Sequence, residues 1–555
     1  MRNSYIFSHL PLLCILIPMF SGALMLWLKE KRRPINKIIA IISTITLLWV
    51  SATLMQAVSG KFTESAPNNI YVYLLGNWEA PYGILLVVDR LSALMVLLSS
   101  ILGLMCLIYA TSLWDRAGVH FYPLFSFILM GVNGAFLTGD LFNLFVFFEI
   151  FLSASYGLLL HSSNQSRVTS GFQYIVVNLI GSFLLLIGIS MIYSVTGTLN
   201  IADIALKAGE MTSDYRTLFE VACALLATAF LIKAAAWPLS FWLTNAYSSA
   251  VAPVAAFFSI MTKVGIYALL RVGSLLLPTG APGAFGGQWL YFIGLGTLIY
   301  GSLGLLSEKK FSRMVSFCVI ISSGTLLTAL GMPGVALTGP SLYYLVSSVF
   351  AVATAFLLVE IISRTEDTPQ NVLNTTLEAF GIDDSDNQSD YSGEVVGVSI
   401  PAALAFLGSA FIVCTLIIAG LPPFSGFIAK FALLSQAVSL TSIQSGSAPI
   451  YAWFLVGFMI FSGMVTVIVM SRTGIRVFWA NKNLNSPKLS IREALPISIL
   501  IGLCLYITIF VNDVMVYMNA TAKSLDNPAE YVEAVFSKKP AKQSSGFYNS
   551  EGNPL

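Results

Sequence analysis

The sequence predicts an all-α integral membrane protein of about fourteen transmembrane helices. Three observations carry this. Of 555 residues, 56% are hydrophobic and only 10% charged, and the mean hydropathy is +0.81, far above a soluble chain of this size. Apolar runs of eighteen residues or more, each long enough to cross a hydrocarbon layer of roughly 30 Å, recur along nearly the whole length. The ten-residue alternation of an outer-membrane barrel is missing.

In chain order the spans fall near 5 to 28, 35 to 58, 84 to 113, 119 to 138, 141 to 161, 168 to 195, 218 to 247, 250 to 276, 288 to 306, 313 to 333, 341 to 363, 398 to 439, 450 to 471 and 494 to 518. The first is a retained helix and not a signal peptide, because its positive charges (KEKRR, 29 to 33) follow the apolar run. Lys29, Lys31, Arg32, Arg33 and Lys37 share a side with EKKFSR (308 to 313) and with the basic loop from Arg472 to Arg492. The lysine and arginine bias makes that side cytoplasmic and places both termini outside.

Between the second and third spans, YVYLLGNWEAPYGILLVVD (71 to 89) sets β-type residues around turn formers and predicts an external hairpin. Residues 364 to 397 hold Glu366, Asp367, Glu378, Asp383, Asp384, Asp386, Asp390 and Glu394 against Arg364 alone, an acidic cytoplasmic insertion. The last 37 residues, 519 to 555, read as an external tail.

Composition also excludes. A net charge of +2 implies no nucleic-acid partner. Cys14, Cys106, Cys223, Cys318, Cys414 and Cys504 lie singly in separate spans, and His9, His120 and His161 are too scattered for haem or a metal cluster. No cofactor or metal is expected.

The chemistry lies in charges that a bilayer disfavours by roughly 2.5 to 3.5 kcal/mol each at a helix centre. Glu149, in FVFFEIF, is the ninth residue of its span, about 12 Å in, with a stem too short to snorkel. Ser153 and Tyr156 share its face. Lys233 precedes Pro238 by five residues in LIKAAAWPLSFWL; Lys430 follows Pro422 and Pro423 in AGLPPFSGFIAKF; Lys263 sits mid-span in SIMTKVGIYALLR. A pair of interrupted apolar helices in the two halves of a chain points to an inverted-repeat transporter site. The lysine precedes one break and follows the other, so the two do not superpose from sequence. A lone buried lysine also fits a structural ion pair, but four such charges, two beside breaks, favour a shared task. Arg271, Glu308 and Asp513, near span ends, read as interface anchors, while Glu220 and Glu360 stay unassigned. The glycines of GLGTLIYGSLG (294 to 304) have helix-packing spacing.

DLFNLFVFFEIFLSASY (140 to 156), KAAAWPLSFWLTNAY (233 to 247), APVAAFFSIMTKVGIYALLRV (252 to 272) and LPPFSGFIAKF (421 to 431) together resemble the antiporter-like subunits shared by respiratory complex I and the Mrp monovalent cation/proton antiporters. Among these the resemblance is to the D-type subunit of the Mrp antiporters, which are also called Mnh or Pha. It covers most of residues 85 to 475. It implies two inverted five-helix repeats containing the broken helices, and with them a division into three N-terminal helices with the hairpin (1 to 113), a first antiporter-like repeat (119 to 276), a second (288 to 471) carrying the acidic loop 364 to 397, and a last helix (494 to 518). It further implies proton transfer along Glu149, Lys233, Lys263 and Lys430. Many relatives carry a histidine or lysine on the tenth and eleventh helices, where this chain offers Ser322, Ser323, Ser347 and Ser348; Ser322 and Ser348 are then water-path residues, since a hydroxyl holds no proton charge at neutral pH.

The function so implied is that of a proton-translocating, non-enzymatic subunit of a multisubunit sodium or other monovalent cation/proton antiporter in a bacterial inner membrane. Its partners would be further subunits, protons, monovalent cations and lipid. Two alternatives compete: a proton-pumping subunit of a complex I or membrane-bound hydrogenase, and a scaffold that conducts nothing.

Overall fold

An apolar segment surrounded by hydrocarbon closes its backbone hydrogen bonds within itself as a helix. The computed structural model, which describes residues 2–28, 32–60, 69–116, 118–162, 165–276, 285, 287–333, 335–366, 402–444, 449–479 and 489–540, is accordingly helical almost throughout. Among the described residues thirteen helices are long and apolar enough to cross a membrane. A further one, α4, has 17 residues.

The first two helices, α1 (Arg2–Trp27) and α2 (Arg33–Val58), are followed by an antiparallel hairpin of β1 (Tyr71–Leu74) and β2 (Leu85–Val88), with Tyr71 opposite Val88 and Leu74 opposite Leu85. Apolar length alone starts a span at 84; the strand occupies that start, and helix α3 (Arg90–Ala110) begins only after Asp89, whose side chain caps it in a reciprocal box with Ser92. Then come α4 (Phe121–Leu137), α5 (Leu141–Leu159), α6 (Gln165–Thr196) and a short α7 (Ile201–Gly209) that hydropathy does not reveal. Bridges Leu86 to Thr138 and Asp140 to Asn200 gather the hairpin, the end of α4 and the start of α7 on one side, here termed the hairpin side.

The span carrying Pro238 is two helices, α8 (Ser213–Lys233) and α9 (Phe241–Ser249). Next are α10 (Ala252–Leu276), α11 (Gln288–Ser307), α12 (Phe311–Leu330) and α13 (Thr338–Glu366). The span carrying Pro422 and Pro423 is likewise split, into α14 (Ala402–Ala419) and α15 (Ser425–Gln444), and α16 (Pro449–Gly474) follows. Both breaks therefore stand where proline placed them. The acidic segment beyond Glu366, up to residue 401, lies outside the described residues.

The C-terminal region differs from the expectation. In place of one span over 494 to 518, α17 (Ile491–Ile509) ends at Phe510 and an amphipathic α18 (Val511–Leu525) takes over. The expected tail from 519 is helical as far as Ser537, completing α18 and forming α19 (Pro528–Ser537). Continuous hydropathy stops near 510; beyond it α18 buries a one-sided stripe, Met518, Thr521 and Leu525, and α19 buries Tyr531, Ala534 and Val535. The Tyr517 hydroxyl donates to the Arg90 carbonyl at 2.8 Å, laying α18 across the start of α3 on the hairpin side.

Of the thirteen membrane-length helices, α3, α10, α12 and α13 are the most deeply buried and form the core. The glycine spacing on α11 acts as expected: a Cβ on Gly294 would stand 2.2 Å from the Thr328 nitrogen, and one on Gly324 of α12 2.5 Å from the Leu298 nitrogen, so the two backbones touch. On the opposite, basic side, Glu360 is bonded to Arg364 and to the Trp114 indole (2.5 Å), and Arg364 also donates to Glu493 at 2.7 Å. This buried cluster gives Glu360 a structural task that the sequence leaves open. All six cysteines are buried and free.

Candidate functional site

The three intramembrane lysines are buried, and each position follows from a local device. Lys233 is the last residue of α8; its ammonium donates to the Asn178 carbonyl (3.3 Å) and the Ser182 hydroxyl (3.2 Å) of α6 and lies 5.9 Å from the centre of the Phe148 ring. Asn178 and Ser182 are four residues apart on one helical face, a spacing visible in the sequence that hydropathy alone does not single out. Among the described residues no ion pair joins Lys233 to Glu149. Glu149, half-buried on α5, lies within electrostatic range of Lys233, and its Oε1 is buried without a hydrogen-bond partner.

Lys263, 1% exposed in the middle of α10, faces the Ser323 hydroxyl of α12 at 3.5 Å. Gly265 seats it. A Cβ there would be 2.6 Å from the Ala234 nitrogen and 2.7 Å from the Phe230 carbonyl, so α10 presses directly on the end of α8 that carries Lys233.

Lys430, 8% exposed on α15, bonds the Ala419 carbonyl at 2.8 Å and the Ile418 carbonyl at 3.3 Å, the last acceptors of α14. An ammonium at a helix C-terminus satisfies orphaned carbonyls and meets the negative end of the dipole. Lys233 thus ends α8 and turns its ammonium to α6, whereas Lys430, on the helix after its break, reaches back to the end of α14.

Pro238, Pro422 and Pro423 occupy the non-helical linkers on the periphery. The first linker is secured by α11, where Thr297 accepts from the Trp237 backbone at 2.8 Å and Gly296 leaves room for the Trp237 ring. The serines between the halves join helices in sequence. Ser323 meets Lys263, Ser322 donates to Ser348 (3.0 Å) linking α12 to α13, and Ser347 pairs with Ser425 (2.8 Å) linking α13 to the first residue of α15. From sequence Ser425 is only part of the break.

Arg271, expected as an interface anchor, is instead 5% exposed and ion-paired to Asp89 at 2.6 Å. Proximity to the end of its span misleads; the hairpin and the C-terminal helices cover that end. Among the described residues no group of three or more metal-ligating side chains gathers.

The fold and this interior define a polytopic helical membrane protein with a row of buried ionisable groups, a class in which such residues mark charge pathways. The model of the family described as NADH:quinone oxidoreductase/Mrp antiporter, transmembrane, matches residues 138–455, and the chain belongs to this family. It is 44% identical over 533 residues to the D subunit of a probable K(+)/H(+) antiporter of Rhizobium meliloti, covering 96% of this chain and 98% of that one. It is 32% identical to the D subunit of the Na(+)/H(+) antiporter of Alkalihalophilus pseudofirmus, over 95% and 99%. Among solved structures, a chain of the Mrp complex from Dietzia sp. superposes with a TM-score of 0.76 at 24% identity, over 96% and 99% of the two chains. A chain of an archaeal membrane-bound sulfane sulfur reductase gives 0.79 at 20%, over the same shares. At these identities the two structures speak for the fold.

Proposed function

We propose that this chain is the proton-translocating D-type subunit of a multisubunit monovalent cation/proton antiporter, a secondary transporter component and not an enzyme, in a bacterial inner membrane with its basic loops cytoplasmic and both termini outside. The observation that carries the reading is the set of three buried lysines, two at helix breaks and one between them, with hydroxyl pairs continuing from Lys263 toward Lys430. The names of the relatives support it.

Protons move by coupled charging. An ammonium at Lys263 repels charge on Lys233, while Glu149 favours it, so one proton arriving changes the readiness of its neighbour to release another; the titrations belong to the set and not to single residues. Freed backbone at the two breaks admits water beside Lys233 and Lys430. Moving one charge through 100 mV is worth about 2.3 kcal/mol, similar to the cost of burying it, so modest changes in pairing suffice to direct flow.

The test is cation-driven proton exchange in everted vesicles, with no electron donor, for Glu149→Ala, Lys233→Ala and Lys430→Ala in the assembled complex. Loss of exchange with intact assembly supports the reading. Full exchange in all three leaves only a scaffold, and exchange that requires a donor leaves the redox-pump alternative. A finer prediction concerns the centre. Ser425→Ala removes one hydrogen bond worth about 1 kcal/mol and is expected to slow exchange about fivefold to tenfold, with Ser425→Thr near wild type in the same vesicles.

A further inference from the structure

The ionisable face of α10 continues past Lys263. Tyr267 and Arg271 follow at four and eight residues, stacked on the same face toward the hairpin side over about 12 Å of helix. The Tyr267 hydroxyl donates to the Phe136 carbonyl at 2.6 Å. The Arg271 guanidinium lies 5.7 Å from the Tyr267 ring centre and 5.2 Å from that of Tyr531 on α19, and it donates to Asp89 Oδ1 at 2.6 Å. Asp89, 3% exposed, is also the cap of α3. A cavity of about 10 Å³, bordered by Asp89, Arg271, Ser274, Ser524 and Tyr531, adjoins the pair and is about the size of one water.

We propose that the Asp89–Arg271 pair is the electrostatic gate between Lys263 and the hairpin-side surface, with Tyr531 as its cover. The proposal rests on the lysine relay described above. Burial alone would raise the Asp89 carboxyl, but the charge and hydrogen bond of Arg271, with two bonds from Ser92, hold it below the usual carboxylate range, so the pair is ionised at neutral pH. A guanidinium does not give up its proton. Paired, its field along α10 is largely cancelled. Unpaired, it opposes a proton at or leaving Lys263, as positive groups in other membrane pores exclude protons. A pair serving only to staple the hairpin to α10 has no such effect on Lys263.

Other titratable groups stand on the elements packed against α10. Charged ones toward the hairpin side are Arg90 on α3, the Asp203–Lys207 pair of α7 (3.0 Å), Asp513 and Lys523 on α18, and Glu530 and Glu533 on α19; Asp214, Arg216 and Glu220 lie at the surface of α8, and Lys233 at its far end. Arg313 of α12 and Glu360 and Arg364 of α13 belong to the opposite, basic side. The uncharged ones are Cys106 and Tyr109 on α3, Tyr122 on α4, Tyr215 and Cys223 on α8, Tyr247 on α9, Cys318 on α12, Tyr343 and Tyr344 on α13, and Tyr517 on α18. Tyrosines stay neutral through the range to be assayed. Changing Asp89 or Arg271 thus alters the local charge without removing a titrating group of the relay.

The experiment is the pH profile of exchange in vesicles carrying the whole complex. Asp89→Asn exposes the Arg271 charge and is expected to move the midpoint to lower pH; Arg271→Gln exposes Asp89 and moves it to higher pH, each by several tenths to about one pH unit at this separation. The double variant is expected to return to within a few tenths of wild type. Midpoints that coincide with wild type, or single variants that move the same way, overturn the gate. Should one of the two charge-removing variants not accumulate, the direction of the other's shift decides, and Arg271→Lys, which keeps the charge, is the control expected to leave the midpoint in place; a midpoint moved in it overturns the gate. Lys263→Met, measured alongside, separates the two levels. Exchange surviving in it defeats the relay, whereas exchange lost in it with unmoved Asp89 and Arg271 profiles defeats the gate alone.

Discussion

Lys263→Met is expected to reduce cation-driven proton exchange at least a hundredfold while leaving the complex assembled and as heat-stable as wild type. The side chain is 1% exposed, and among the described residues its hydrogen-bond contact is the Ser323 hydroxyl at 3.5 Å. Methionine has a similar length and fills the same space without the ammonium. Replacing a buried charge by a well-packed apolar group is commonly neutral or stabilising, so a collapse of the fold is not expected to accompany the loss of transport. Lys263→Arg sharpens the test. It keeps the positive charge but does not release a proton, and exchange is expected to stay lost. An active arginine variant would show that Lys263 contributes charge alone; an active methionine variant would remove it from the path altogether. Vesicle exchange and a melting curve of the purified complex read both quantities.

Gly426→Ala is expected to damage the protein itself. A Cβ at this position would stand 1.8 Å from the Ile417 carbonyl oxygen, a backbone atom that no side-chain rotation relieves. The start of α15 must then draw away from the end of α14, at a cost of about 3 kcal/mol. Lys430 reaches its two carbonyl partners only because these ends are close, so transport is expected to fail together with stability. Gly457→Ala on α16 and Gly502→Ala on α17 are the controls: a Cβ at either meets nothing within 4 Å, and both are expected to be silent. A lowered melting temperature confined to the Gly426 variant is the expected result; equal behaviour of all three would mean that the break is not closely packed.

The helices, both breaks, the hairpin and the glycine seam between α11 and α12 are legible in the sequence, because each follows from a local property: apolar length, proline, strand-type residues around a turn, or small-residue spacing. The identities of Lys233, Lys263 and Lys430 are legible too, since charge in an apolar run is conspicuous wherever the helix goes. Their partners are not. Lys233 turns to Asn178 and Ser182 and not to an ion pair with Glu149, and Lys430 reaches back eleven residues to Ala419; both depend on how helices far apart in sequence come together. Arg271 is misleading for the same reason, since its partner Asp89 is 182 residues away. The helices past residue 510 escape because an amphipathic stripe carries little total hydropathy, and α7 for want of length.

The two breaks are anchored differently, and this asymmetry has a mechanical meaning. The loop at Trp237 is fastened to Thr297, a group that never changes charge, so it follows whatever tilt α11 adopts. At the second break Ser425 is tied to Ser347, and Lys430 bonds the Ile418 and Ala419 carbonyls at the end of α14, so on the proposed relay a change in its charge would bear directly on that joint. One joint is held by a group of fixed charge and the other by an ionisable one, so under the proposed relay only the second would respond to a proton.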